Sequence, residues 1–262
     1  MTSKEKTRPQ NVLRTENAIW LFVISTAGFL VCLLLVVTKT STQWDESTFM
    51  ALIDFLPSFP LLGGIMILFS LYGREVVWAA VMIALGLSKK QSHRRVAFYL
   101  ALTLLATAVP GYVTKFAISR LRPFQVFPSL HYLLPASQPS FPSGHTLVVC
   151  ALVTIVWFTL GNKKVAVLLT FDGVMVSFSR IYVGAHFPMD VIGGAFLGVA
   201  IGACVMVFET RIDDWFLRAD THWNDKFLER IRKKSEKEST VIPAKNISSH
   251  DNDSTLRVAD DA

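Results

Sequence analysis

Three short stretches of the sequence carry residues whose types and spacing suit one kind of chemistry. Lys115 and Arg122 stand seven apart, and Pro123 follows directly. Pro142-Ser143-Gly144-His145 is the second stretch. In the third, Ser179-Arg180 leads to His186 and, four residues on, Asp190. Each has a use at a phosphate. Lys115, Arg122 and Arg180 can neutralise a phosphoryl group and the charge that develops on it, and an arginine can hold two oxygens at once. Ser143 and Gly144 precede an apolar run and so fall at a helix N-terminus. There, free N–H groups and the helix dipole favour an anion, and glycine permits close approach. His186 and Asp190 are one helical turn apart, so the carboxylate can hold one ring nitrogen and leave the other as a nucleophile. Pro188 suits the first turn of that helix. His145 is then the candidate general acid for the leaving oxygen. If the helix bearing Lys115 continues, seven residues make about two turns and both cations project from one face.

Taken singly, these residues have plainer readings. Lys115 or Arg122 alone is a snorkelling cation, Pro-Ser-Gly-His a turn into a helix, and His186 with Asp190 a structural capping pair. Their shared position argues otherwise, and the elements that carry them define it. The chain has 262 residues, 52% of them hydrophobic, and a mean hydropathy of +0.42. That is too apolar for an ordinary soluble domain and predicts an all-α, six-span transmembrane helical bundle. The runs are Ala18–Val37, Pro60–Leu87, Val96–Ser119, His145–Leu160, Val165–Val183 and Pro188–Phe208, most of them long enough to cross a hydrocarbon core. The fourth is short and is expected to start within the headgroup layer. The first is read as a retained helix, because Lys39-Thr40-Ser41 follows it in place of a small-residue cleavage site. Trp44–Leu56 reads as a short surface helix with Phe49, Leu52, Ile53 and Leu56 on its apolar side.

Arg74-Glu75 falls near the middle of the second run. One tilted span is preferred there to two segments broken at Gly73, since two crossings do not fit in about 28 residues. Adjacent helical residues point apart, so these two need not pair. Intramembrane charges are costly and often functional, which makes Glu75 a candidate for a supporting role behind the site. Gly193, Gly194 and Gly198 read as close-packing positions. His131-Tyr132 reads as a surface loop or a substrate contact. Cys32, Cys150 and Cys204 lie in apolar runs with no metal or disulfide spacing.

The formal net charge is +6, and its distribution sets an orientation. Lys4, Lys6, Arg8 and Arg14 precede the first run, Lys89, Lys90, Arg94 and Arg95 follow the second, and Lys163 and Lys164 follow the fourth. Lys233, Lys234 and Lys237 lie in the tail. The positive-inside rule then puts both termini in the cytoplasm and all three stretches on the extracytoplasmic side. The expected organisation is a cytoplasmic segment at 1–17, a membrane domain at 18–208, an amphipathic interfacial helix at 209–234 and a disordered cytoplasmic tail at 235–262. The helix shows Ile212, Trp215, Ala219, Trp223, Phe227 and Ile231 at spacings of three or four, with Arg230 and Arg232 suited to anionic lipid. Asn246 and Asn252 match a glycosylation pattern by chance on such a tail.

Lys115-x6-Arg122-Pro123, Pro142-Ser-Gly-His145 and Ser179-Arg180-x5-His186-x3-Asp190 resemble the three signature motifs of the type-2 phosphatidic acid phosphatase (PAP2) superfamily. Every signature position is filled, in order, and the resemblance extends over about Trp44 to Phe208. It implies a metal-independent phosphatase without a cofactor. In it His186 forms a phosphohistidine, Asp190 orients that ring, and His145 protonates the leaving group and then activates water. Lys115, Arg122 and Arg180 hold the phosphoryl oxygens, with Ser143 and Gly144. The implied substrate is a lipid phosphate or diphosphate reached from the bilayer, with polyprenyl diphosphate first and phosphatidylglycerol phosphate or phosphatidic acid next. Nucleic acid is not an expected partner, and a prokaryotic plasma membrane is the assumed location. Phosphotransfer to another lipid shares the same motifs. Soluble vanadate haloperoxidases share the site but lack the spans, and a complete motif set argues against a non-enzymatic lipid-binding or transport protein.

Overall fold

The computed structural model describes residues 8–55, 60–128 and 137–221, together with 229, 232 and 233. His131-Tyr132, the whole of the predicted tail and part of the predicted interfacial helix lie outside them. The chain divides into two compact units, Met1–Asp213 and Asp214–Ala262. In the second unit residues 214–221 are helical.

The first unit is all-helical among the described residues. It holds α1 (Arg8–Val37), α2 (Thr42–Phe55), α3 (Pro60–Leu68), a π-helical segment (Phe69–Val77), α4 (Trp78–Gly86), α5 (Gln91–Ile118), α6 (Pro123–Val126), α7 (Gly144–Thr159), α8 (Lys163–Tyr182) and α9 (Pro188–Val207). Among the described residues, five stretches are long and apolar enough to cross a membrane: Arg14–Val37, Leu61–Gly86, Gln91–Val126, Lys163–Tyr182 and Pro188–Val207. α7 is apolar but only 16 residues long. Large side chains such as Trp20, Leu61, Leu105 and Leu168 face outward, as lipid-facing residues do.

The six apolar runs all appear as helices, with α1 starting at Arg8, ahead of its run. The second run is one continuous helical path, as expected, but it changes pitch. The π segment occupies its middle and contains Gly73, Arg74 and Glu75. Gly73 does not break the helix. It lets the segment press on α8, where a Cβ would come 2.4 Å from Val176 Cγ2. Trp78 Nε1 fixes the next turn by donating to Asp172 Oδ2 of α8 at 3.1 Å.

The third run ends sooner than the shared-face argument requires. α5 stops at Ile118, and Ser119 is left-handed with φ 47. Arg122 is extended (φ −87, ψ 158) and caps α6. Pro123 forces this, because its ring disfavours the helical region for the residue before it. Lys115 and Arg122 therefore do not share a helix face. They meet because the chain turns.

α7 sits at the centre of the bundle. Leu152, Ile155 and Val156 pack with Trp78, Tyr99, Leu100, Ala166 and Met206. Its tightest partner is α9, through the predicted glycines. A Cβ at Gly198 would stand 2.3 Å from Leu147 O, and one at Gly194 2.7 Å from Ser143 O, so only glycine lets these backbones approach so closely. α2 is more than a surface helix. Phe49 is fully buried and packs with Ile181 and Phe187, with Leu52 and Ile53 beside them. At the opposite end, Arg95 ties α5 to Glu209 and Asp213 at 2.5–2.7 Å.

Candidate active site

The site forms where α5, α7, α8 and α9 end on one side of the bundle. A turn closes α8: Ala185 N and His186 N both donate to Arg180 O at 3.1 Å, and Gly184 supplies a left-handed φ of 75. Pro188 then opens α9, and Asp190 reaches back to accept from Phe187 N at 2.9 Å. Ser143 caps α7 and donates its N–H to Asp190 O at 2.9 Å, which joins the starts of α7 and α9.

His186 and Asp190 are buried. His186 Nδ1 lies 3.6 Å from Asp190 Oδ2 and 3.4 Å from Ser140 Oγ. Ser140 Oγ donates to Asp190 Oδ2 at 2.5 Å. Since that hydroxyl spends its proton on the carboxylate, it accepts from Nδ1–H. The tautomer assigned on this basis leaves Nε2 unprotonated, and its lone pair accepts from Arg122 Nη1 at 3.4 Å. Burial pushes the His186 pKa down to about 3, against the pull of Asp190, so the ring is neutral and nucleophilic at neutral pH.

The cations converge from three elements and are all buried. Lys115 Nζ donates to Pro139 O at 2.8 Å, and its Cε lies 3.7 Å from where a Gly144 Cβ would stand. Arg122 is held by Gln138 O at 2.6 Å and Ala185 O at 2.8 Å. Arg180 donates to Ser70 Oγ of the π segment, and its Nε has no hydrogen-bond partner among the described residues. Ser143 and Gly144 lie at the α7 N-terminus, as expected, and His145 follows in its first turn. Ser179 turns its hydroxyl to Val176 O, within its own helix. Glu75 lies 3.7 Å from His145 Nε2 and pairs with its neighbour Arg74, whose Nε donates at 2.8 Å.

The structure adds residues that the sequence reading left out of the site. Arg120 donates to Asp190 Oδ1 at 2.7 Å and to Asp45 Oδ2 of α2 at 2.6 Å, and it lies over the Phe187 ring at 4.7 Å. Asp45 also accepts from Met189 N at 2.8 Å. Ser140 and Ser70 complete the set. Arg120 had a signal, as a second cation two residues before Arg122 at a span end. Asp45, on a separate helix, had none.

Lys115, Arg122, Ser143, Gly144, His145, Arg180, His186 and Asp190 all fall within residues 95–213, which match the model of the PAP2 superfamily. An undecaprenyl-diphosphatase of Sulfolobus acidocaldarius is 37% identical over 138 residues, covering 52% of this chain and 66% of that protein. Over residues 95–213 the chain matches the PAP2 superfamily. A second relative, the undecaprenyl-diphosphatase BcrC of Bacillus subtilis, is 34% identical, covering 48% of this chain and 65% of its own. The chain thus spans just under two thirds of the length of these curated relatives. The crystal structure of a transmembrane PAP2-type phosphatidylglycerolphosphate phosphatase from Bacillus subtilis shares the fold. Its TM-score is 0.60 at 24% identity, covering 74% of this chain and 96% of that one.

Proposed function

We propose that this chain is a membrane lipid phosphatase that hydrolyses a lipid diphosphate, polyprenyl diphosphate first among them, through a phosphohistidine. The observation that carries the reading is the state of His186. One ring nitrogen is held toward Ser140 and Asp190, and the other is unprotonated and faces Arg122 Nη1 at 3.4 Å. In the proposed reaction Nε2 attacks the terminal phosphorus while the bond to the leaving oxygen breaks, and His145 gives that oxygen a proton. Water then attacks the phosphohistidine, its proton returns to His145, and inorganic phosphate leaves. Lys115, Arg122 and Arg180 stabilise the phosphoryl oxygens in both steps, with the N–H groups at Ser143 and Gly144. No step calls for a metal or cofactor.

The names of the relatives support the substrate choice, since two are undecaprenyl-diphosphatases. The second reading is phosphatidylglycerol phosphate or phosphatidic acid, and the structural neighbour named a phosphatidylglycerolphosphate phosphatase supports the first of these. We take α7 as a sixth crossing, with both termini cytoplasmic, the active site extracytoplasmic and the plasma membrane as location. The basic residues before α1, between α4 and α5, and between α7 and α8 support that orientation. The stretch at 209–234 is read as interfacial. Purified protein in detergent, with chelator present, is expected to release phosphate fastest from polyprenyl diphosphate in a panel with phosphatidylglycerol phosphate and phosphatidic acid. His186→Ala should release none. Faster release from phosphatidylglycerol phosphate would favour the second reading, and release only when a lipid acceptor is added would replace hydrolysis with phosphotransfer.

A further inference from the structure

The family match begins at residue 95, yet the π segment, well before it, supplies two contacts to the site. Ser70 Oγ accepts from Arg180, and Glu75 Oε1 lies 3.7 Å from His145 Nε2. These residues are five apart. In an α-helix, at 3.6 residues per turn, they would point about 140° apart. A π-helix bonds i to i+5 and so brings residues five apart close to one face. The change of pitch therefore lets one helix touch both the phosphate-binding arginine and the general acid. The segment is held in place from behind, by Gly73 against Val176 and by Trp78 on Asp172.

We infer that Glu75 is a positioning residue for His145, delivered by the π segment, which aims the ring at the leaving oxygen. This rests on the phosphatase reading above. His145 stands among the cations Arg180, Arg74 and Lys115, with His186 also near. Glu75 is the carboxylate that faces it, with Oε1 3.7 Å from Nε2. Its carboxylate is anchored by Arg74, and its side chain is 47% exposed within a candidate span. A carboxylate so placed in a membrane helix is costly and needs a reason to be there.

If Glu75 acts through His145, its loss matters only where the leaving group needs a proton. The test compares two esters with the same tail, dodecyl phosphate and a dodecyl-substituted nitrophenyl phosphate, which leaves without acid help. The readout is kcat/KM, which reports formation of the phosphoenzyme. Glu75→Gln is expected to lose about 10-fold on the alkyl ester, a fraction of what general acid catalysis supplies, and to stay within about twofold on the nitrophenyl ester. Glu75→Asp, which keeps the charge but shortens the reach, should show a smaller loss with the same selectivity, and it serves as the test if Glu75→Gln does not fold. Equal losses on both esters, or no loss on either, would overturn the inference. Failure of the unsubstituted protein on both esters and on polyprenyl diphosphate would instead overturn the phosphatase reading, as would full activity of His186→Ala.

Discussion

At the residue scale the site is a set of charges that hold one another in place. Arg120 makes the point most clearly. It bridges Asp190 and Asp45, both fully buried, and so ties the carboxylate that faces His186 to α2. Removing one partner of a buried ion pair leaves an uncompensated charge and costs about 3–5 kcal/mol. Arg120→Ala should therefore lower the unfolding midpoint in detergent sharply and abolish turnover. Arg120→Lys should recover part of the stability and little activity, since a single ammonium cannot reproduce a planar fork between two carboxylates. A variant as stable and active as the parent would remove Arg120 from the account. The residues legible in the sequence were those whose function fixes both type and spacing: His186 with Asp190, Ser143 with Gly144, and the three cations. Asp45 and Ser140 were not legible because they act through contacts between elements far apart in the chain, and such contacts leave no local pattern; Arg120 had a signal only in its place two residues before Arg122.

At the element scale, close approach of backbones sets the geometry. α9 brings Asp190 and α7 brings His145, and the relative placement of the two helices depends on Gly194 and Gly198. An added methyl at Gly198 meets Leu147 O at 2.3 Å. Overpacking of this kind typically costs about 1–3 kcal/mol. Gly198→Ala should destabilise by that order in thermal unfolding, and it should reduce kcat by shifting His145 against His186. Gly64→Ala in α3, where nothing lies within 4 Å of the new Cβ, is the matched control and should be neutral. Equal behaviour of the two would contradict the packing argument. The sequence showed where the helices are, because hydrophobic runs carry that information directly. It did not show the π segment, since no residue type marks a change of pitch. It placed the end of the third run at Ser119, one residue past the end of α5, but the shared face for Lys115 and Arg122 needed the helix to continue, which Pro123 prevents by restricting Arg122.

At the scale of the whole molecule, an apolar bundle carries the buried charges of the site at one end, with an ionic lock of Arg14, Arg95, Glu209 and Asp213 at the other. A lipid can keep its tail in the bilayer and present its phosphate to the first of these ends. The account stands on one covalent event there, and trapping that event tests it most directly. Protein mixed with polyprenyl diphosphate labelled at the terminal phosphorus, quenched in alkali within a single turnover and mapped by mass spectrometry, should carry the label on His186. The label should be absent from His186→Ala. Phosphate release at full rate with no label on His186, or a label on His145, would contradict it.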